Sequence, residues 1–408
     1  MRAIGNARLI AVIAAIGLTC PAHAAPRADD VGDGGVPAFY TAKAKIPPRP
    51  GVIVAQEPLL PEFSVPAAGR AIRVLYSSRD GIGDTANVLV SGAVFLPRGT
   101  PPAGGWPVVA WAHGTTGIAD ICAPSARPRG DRDSGYLSSW LNAGFAVVAS
   151  DYQGLGVPGI HPYSNYRASS YSVLDSARAA IAAAGLGIAN KVVLAGQSQG
   201  AGVVVAAAGY APGYAADLHI AGVVATGAPN LSRAAIESGL ASSATDVMVT
   251  GAYAMIGYEL TRTHPELKAE TIFTPEGREI EHMVGRMCLL ELMQEVAKRR
   301  LDPAHAFRPG MLKRLWDTDI GLRAFPSLTL PEPIFFGIGT ADTAALPMTT
   351  LKLVSDLCAR GNIVAVHLYQ GKDHAGVVNS AAPDAIRFAR AAIAGDAVQA
   401  VCGMDRAG

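Results

Sequence analysis

Residues 191–203 read KVVLAGQSQGAGV, and that order of residue types leaves the chain little choice of local fold. Val192, Val193 and Leu194 make a short apolar run of the kind that forms a buried strand, and the run stops abruptly at small residues. An apolar, alanine-rich run over 203–208 then reads as a helix. The turn between them is Gly196-Gln197-Ser198-Gln199-Gly200, a G-x-S-x-G pattern. In a strand, turn and helix of this type the serine takes a strained backbone conformation that lifts its hydroxyl above the sheet edge. Gly196 and Gly200 suit that geometry, because side chains beside the serine would collide where strand and helix pack closely. In a chain with 45 glycines the bare pattern is weak, and the strand before it and the helix after it make it specific.

A serine hydroxyl is a poor nucleophile until a neighbouring imidazole accepts its proton. For a serine on such an elbow the partners follow in the order Asp or Glu, then His. Downstream, residues 334–339 (IFFGIG) form a buried-strand pattern that runs into Thr340-Ala341-Asp342, with Pro347 closing the loop, so Asp342 is the candidate acid. Residues 364–369 (VAVHLY) are a further strand followed by 370–376 (QGKDHAG), so His374 is the candidate base. Taken singly, each reads as a solvated loop residue. Two loops of the right type, in the right order, each after a strand, favour catalysis. Asp373 is the rival acid, but side chains adjacent in sequence rarely face one another.

At the start of the chain, Arg2 and Arg8 accompany an apolar run over 9–18, and Ala22-His23-Ala24 is a small-x-small cleavage signal. Residues 1–24 therefore read as a secretory signal peptide, too short to anchor in a bilayer, with the remaining domain over 25–408. Cys20 raises a lipoprotein reading, which Gly17-Leu18-Thr19 disfavours because no small residue stands just before the cysteine. No later segment is long and apolar enough for a transmembrane helix. The expected location is secreted, extracellular or periplasmic.

With 34 basic and 33 acidic residues the formal net charge is +1, which gives no electrostatic reason to expect a nucleic-acid partner. Half of the 408 residues are hydrophobic, and the length suits one large domain with an insertion better than several small ones. Residues 25–61 are proline-rich and weakly patterned, and read as an arm over the surface. Beyond the leader stand Cys122, Cys288, Cys358 and Cys402. An even count in an exported chain suggests two disulfides with three connectivities open, against the plainer reading of four free thiols. His161, His219, His264, His282 and His305 lack ligand spacing such as H-E-x-x-H, so no metal and no cofactor is expected.

Residues 71–76 and 87–96 alternate like two antiparallel strands joined by the turn 79–84. Residues 107–112 (PVVAWA) are a buried strand ending in His113-Gly114-Thr115-Thr116-Gly117, where a glycine-flanked backbone can aim an N–H at a developing negative oxygen. Residues 145–150 are the next strand, 171–186 an amphipathic helix and 220–228 another strand. Strands alternating with helices imply a mostly parallel, doubly wound sheet, whose crevice lies at the carboxyl ends of the strands, and the Ser, Asp, His order of the candidates makes the α/β-hydrolase fold the expected one. From about 231 to 330 the alternation gives way to helices alone, including 242–260 and 276–300, as expected of an inserted cap or lid. Met248, Tyr253, Met255 and Tyr258 are read as an adaptable apolar wall of that cap, with a plain helical core as the alternative.

HGTTG, Cys122-Ala123-Pro124-Ser125, DYQGLG over 151–156, GQSQG, the Asp342 loop, His374 and the late Cys358 and Cys402 together resemble the secretory lipases of the Candida antarctica lipase A type. The resemblance covers nearly the whole mature chain. It implies Ser198, Asp342 and His374 as the triad, the N–H of Gln199 as one oxyanion donor, and the position of Thr116 as the second. The fungal lipase carries an acidic residue in a differently built loop there, so Thr115 stays a candidate beside Thr116. The resemblance also implies the pairs Cys122 with Cys288 and Cys358 with Cys402.

The expected function is that of a secreted lipase or carboxylesterase acting through an acyl-enzyme on a small-molecule or lipid ester, with transient contact to a lipid surface. The alternatives are a polyester depolymerase, a serine peptidase on the same fold, and a non-catalytic binding protein with a dead hydrolase fold. No separate polymer-binding module and no diagnostic acidic pair supports the first two, and no expected catalytic position is substituted in the way the third requires.

Overall fold

A single nine-stranded sheet organises the computed structural model, which describes residues 35–41, 44–239 and 247–402. The signal segment expected over 1–24 lies outside the described residues. The strands are β1 (Ile53–Pro58), β2 (Arg70–Arg79), β3 (Asn87–Leu96), β4 (Trp106–Ala112), β5 (Ala146–Ser150), β6 (Ile188–Gln197), β7 (Ile220–Thr226), β8 (Ile334–Gly339) and β9 (Val364–Tyr369). They lie in the order β1-β2-β3-β5-β4-β6-β7-β8-β9. The pairs from β5 through β9 are parallel, and the pairs formed by β1, β2 and β3 are antiparallel.

The central strands are nearly all Val, Ala, Ile and Phe because both faces of the sheet are covered. On one face lie α1 (Asp131–Asn142), packed through Tyr136 and Trp140, and the long C-terminal helix, packed through Val377 and Phe388. The other face carries α2 (Tyr166–Ala182) and α3 (Gln199–Tyr214), whose valines and alanines are buried to zero exposure at many positions. β4 connects outward to β5, and the chain then returns past β4 to β6, so the strand order reverses between β4 and β6. In an open α/β sheet the ligand crevice forms at such a reversal, above the carboxyl ends of the strands.

Between β7 and β8 stand only helices among the described residues. These are α4 (Arg233–Gly239), α5 (Val247–Thr263), α6 (Ala269–Ile272), α7 (Pro275–Val284), α8 (Leu289–Arg299), α9 (Pro303–Ala306), α10 (Met311–Asp317) and α11 (Ile320–Arg323). Two further helices, α12 (Pro347–Ala359) and α13 (Gly376–Ala394), follow β8 and β9. The insertion has its own core around α5, formed by Met255, Ile256, Leu260, Phe273, Leu292 and Val296. Tyr253, Met255 and Tyr258 are buried in that core, so the apolar wall expected of them is not there, and of the four only Met248 is exposed. An amphipathic helix buries its own apolar stripe first, and α5 has α7 and α8 to bury it against.

Three local readings also change. β1 lies inside the stretch read as a surface arm, and Pro58 is tolerated because an edge strand leaves one row of N–H groups unpaired. The helix expected over 276–300 is two helices, since Cys288 turns out of the helical path to meet Cys122 and starts α8 with its N–H on Glu291 Oε2 at 2.9 Å. α2 begins five residues early, because Asn165 caps it by accepting the Ala168 N–H at 3.0 Å. The cysteines form Cys122–Cys288 and Cys358–Cys402, the pairing that the resemblance implies.

A buried ion pair inside the insertion, between α11 and α5, also ties it to the main body through the Tyr163 carbonyl. Arg323 donates from Nη2 to Glu259 Oε2 at 2.9 Å and from Nη1 to the Tyr163 carbonyl at 2.9 Å, with both charged side chains almost fully buried. Burial pushes the Glu259 carboxyl up, and the guanidinium pulls it back. Removing one member strands the other charge away from water, which costs about 3–5 kcal/mol. Arg323→Met should therefore lower stability by about that amount in a denaturant titration, and the double variant with Glu259→Met should recover most of the loss.

Glu332, just before β8, has a buried Oε2 with no hydrogen-bond partner, and burial pushes its carboxyl up to about 7. The folded chain therefore holds a proton that the unfolded chain releases near its ordinary value. That contribution to stability is present at acid pH and is lost as pH rises through about 7. Glu332→Gln should raise the Tm at pH 8, with the gain shrinking towards pH 4.5 in a melting series.

Candidate active site

Ser198 sits at φ +57°, ψ −121°, between the end of β6 and the start of α3. A non-glycine residue there is strained, and the neighbours fix it. The Ser198 N–H donates to the Thr226 carbonyl at 3.0 Å, while its own carbonyl accepts from Ala201 and Gly202 at 2.9 and 3.2 Å. A Cβ on Gly196 would come within 2.1 Å of the Gly200 carbonyl oxygen, and one on Gly200 within 1.9 Å of the Ala112 carbonyl oxygen. The two glycines are required because strand, turn and helix occupy the space that side chains would need.

The loops after β8 and β9 bring the other two candidates to this serine. His374 Nε2 lies 2.8 Å from Ser198 Oγ, and His374 Nδ1 lies 2.8 Å from Asp342 Oδ2. Asp342 is nearly fully buried, and its other oxygen accepts from the N–H groups of Ala344 and Ala345 at 2.9 and 2.8 Å. With both oxygens engaged the carboxylate has one orientation, facing the imidazole. Asp373 is occupied elsewhere, accepting from Gly376 N at 2.7 Å at the start of α13. Gly227, at the end of β7, supplies the floor: a Cβ there would meet the His374 ring at 3.0 Å and Asp342 Oδ2 at 3.4 Å.

Residues 113–117 face the elbow from the end of β4. His113 is buried against the Tyr152 ring, with centroids 4.2 Å apart, and Tyr152 donates its hydroxyl to the His113 carbonyl at 2.7 Å. Burial pushes the His113 imidazole down, so it stays neutral, and its Nδ1 lies 2.7 Å from the Gly114 carbonyl. Thr115 Oγ1 meets Tyr163 Oη at 3.1 Å, whereas Thr116 Oγ1 is buried with no partner. Among the described residues neither Thr115 nor Thr116 gives its N–H to a backbone carbonyl. Gln199 is the first residue of α3, where backbone N–H groups have no helical acceptor. The elbow and this loop therefore hold spare donors on two sides of Ser198.

The helical insertion grips the same loop. Leu289 donates its N–H to the Thr116 carbonyl at 2.9 Å, Gly117 pairs with Cys288, and the Cys122–Cys288 disulfide closes the contact. Gly117, at φ +126°, is needed here, because a Cβ would lie 2.8 Å from Cys122 Sγ. Gln197, Tyr163 and Gly227 belong to the site but are not singled out by the sequence. Gln197 stands inside the G-x-S-x-G pattern, yet its bearing on the histidine comes from a loop 177 residues away.

Among the described residues, no cluster of His, Cys, Asp and Glu could hold a metal ion. Among the described residues, no helix is long and apolar enough to cross a membrane. The model of the secretory lipase family matches residues 131–400, which include Ser198, Asp342 and His374. Candida antarctica lipase A has the same fold, with a TM-score of 0.69 at 18% identity over 90% of this chain and 88% of that one. Its closed state gives a TM-score of 0.67 at the same identity and coverage. The rice cell wall degrading esterase LipA of Xanthomonas oryzae gives 0.65 at 17% identity, over 85% of this chain and 97% of that one. No curated protein sequence matches. With the family model spanning well over half of the chain, the protein belongs to the secretory lipase family and is a carboxylic ester hydrolase.

Proposed function

We propose that Ser198, His374 and Asp342 are the catalytic triad of an exported lipase or esterase that works through an acyl-enzyme. The observation that carries this reading is the unbroken chain from Ser198 Oγ through the His374 ring to the buried Asp342 carboxylate, with both links at 2.8 Å. In the first half-reaction Ser198 Oγ attacks the ester carbonyl while its proton passes to His374 Nε2. Asp342 keeps the ring in the tautomer that leaves Nε2 bare and stabilises the imidazolium once it forms. The oxyanion is met by the N–H of Gln199 and by the Thr115 to Thr116 loop, each donor contributing on the order of 3 kcal/mol to the barrier reduction. The alcohol leaves with the proton from Nε2, and water repeats the steps on the acyl-enzyme.

Export is proposed from residues 1–24 together with two disulfides, which persist in an oxidising compartment. The insertion over about 231–330 is proposed as a cap, because it is bonded to the loop that would hold the oxyanion. Leu290, next in sequence to that contact, and Leu346 and Met348, which follow the Asp342 turn, are exposed apolar side chains. They suit an acyl chain or the surface of a lipid aggregate better than a polar substrate.

Ser198→Ala, His374→Ala and Asp342→Asn should each lower kcat by several orders of magnitude on a p-nitrophenyl ester, whereas Asp373→Asn should stay near wild type. Loss of activity in Asp373→Asn with retention in Asp342→Asn would overturn the assignment of the acid. Each methylene that finds apolar cover contributes about 0.8 kcal/mol, so kcat/KM should rise by up to about fourfold per carbon from acetyl esters until the pocket is filled. Turnover of a matched amide should be far slower. A flat or falling series from acetyl to octanoyl would make the protein a short-chain esterase and leave the triad untouched.

A further inference from the structure

Gln197 precedes Ser198 on the elbow and is about as buried as the strand behind it, at 1% exposure. Its carboxamide nitrogen lies 3.2 Å from His374 Nε2, the same ring nitrogen that Ser198 Oγ approaches at 2.8 Å. Its other end, Oε1, is buried with no partner. That oxygen rests on Gly114, where a Cβ would come within 2.3 Å of it. The glycine of the His113-Gly114 pair thus makes room for a side chain from the neighbouring strand.

An imidazole nitrogen presents one lone pair when bare and one N–H when protonated. A carboxamide is matched to both states, since one end donates and the other accepts, and a half-turn of its terminal torsion exchanges them. The aliphatic hydroxyls of Ser and Thr are too short to reach the ring from this position, and an ionised carboxylate could only accept. We propose that Gln197 is a positioning residue for His374 in both of its protonation states. In the resting enzyme its N–H approaches the bare Nε2 beside the closer Ser198 hydroxyl, shares that lone pair as the weaker donor, and keeps the ring facing the serine. When the ring has taken the serine proton, the amide turns and Oε1, which is idle at rest, accepts from Nε2–H and steadies the imidazolium until the leaving alcohol takes the proton.

The proton balance leaves Gln197 unchanged. The O–H bond of Ser198 breaks as its bond to the acyl carbon forms, the proton rests on His374 Nε2, and it departs on the leaving oxygen. Among the described residues the ring's hydrogen-bonding and ionic partners are Asp342, Ser198 and Gln197. Asp373, the charged neighbour on its own loop, is turned to Gly376 N. The inference rests on the proposed roles of Ser198 and His374.

Two variants of the full-length enzyme test it. Gln197→Met keeps length and volume but has neither donor nor acceptor, so kcat on p-nitrophenyl butyrate should fall about tenfold with KM within about twofold, at an unchanged melting temperature. Gln197→Glu places a carboxylate beside Nε2 and favours the charged ring, so the acid limb of kcat/KM should move up by about one pH unit. The His374 titration midpoint, read by NMR on protein with labelled histidine, should move up with it. Full kcat in Gln197→Met, or an unmoved His374 midpoint in Gln197→Glu, would overturn the proposal. Wild-type protein without esterase activity would overturn the hydrolytic reading instead, and the NMR arm would still decide whether Gln197 meets the ring.

Discussion

The backbone at Ser198 is the constraint on which the rest of the site depends. A residue at φ +57°, ψ −121° persists only where its surroundings outweigh a strain of about 1–3 kcal/mol. Here the surroundings are a strand whose Val192 to Ala195 are fully buried, a helix whose Ala201 to Ala208 are nearly all buried, and two glycines that let them approach. The strain is thus held by ordinary packing on both sides of the turn. Its result is a hydroxyl that stands clear of the sheet edge, where loops from other strands can reach it.

Those loops come from distant parts of the chain, and each is stiffened before it reaches the serine. The Asp342 turn is closed by its own backbone donors, and the His374 loop is tied to it by Ala341 N on the Lys372 carbonyl at 3.0 Å. The loop over 113–117 is held from below by Tyr152 and from above by the insertion. A bond between the insertion and this loop has a consequence for function. Any movement of the α8 start is transmitted through Cys288 and Leu289 to Thr116 and Gly117, in the loop that follows β4. If the insertion is the cap and this loop the oxyanion loop, as proposed, covering the site and shaping its donors are one mechanical event rather than two.

Much of this was legible in the sequence, for definite reasons. The parallel strands β4, β6, β7 and β8 are buried over their carboxyl-terminal stretches, which write themselves as unbroken apolar runs, and the elbow is local enough to be read from five residues. Asp342 could be placed because it follows such a strand, and His374 because it follows the edge strand β9, whose first residues are buried and apolar. Edge strand β1 escaped, since none of its residues is fully buried, so no face imposes apolar alternation, and a proline can stand at its end. The break between α7 and α8 escaped because it serves a disulfide to residue 122, a contact that no local pattern records. Gln197 and Tyr163 escaped for the same reason: what each does depends on a partner 177 or 48 residues away. The apolar face of α5 was legible, but its direction was not, because periodicity marks a buried stripe without saying which neighbour buries it.

Charge at the site is confined by burial. His113 and His161 both lie within the protein near the elbow, and burial pushes both down, His161 to about 4. They meet backbone carbonyls, His161 through Nδ1 to Gln153 O at 2.8 Å, and remain neutral at working pH. Asp151, beneath the same loop, is pushed up by burial and drawn back by the hydroxyls of Ser125 and Ser91. Neither histidine therefore competes for the proton that leaves Ser198 in the proposed mechanism. The positive charge of that step falls on His374, which has the Asp342 carboxylate behind it, and the buried polar groups around it act as fixed dipoles rather than as rival bases.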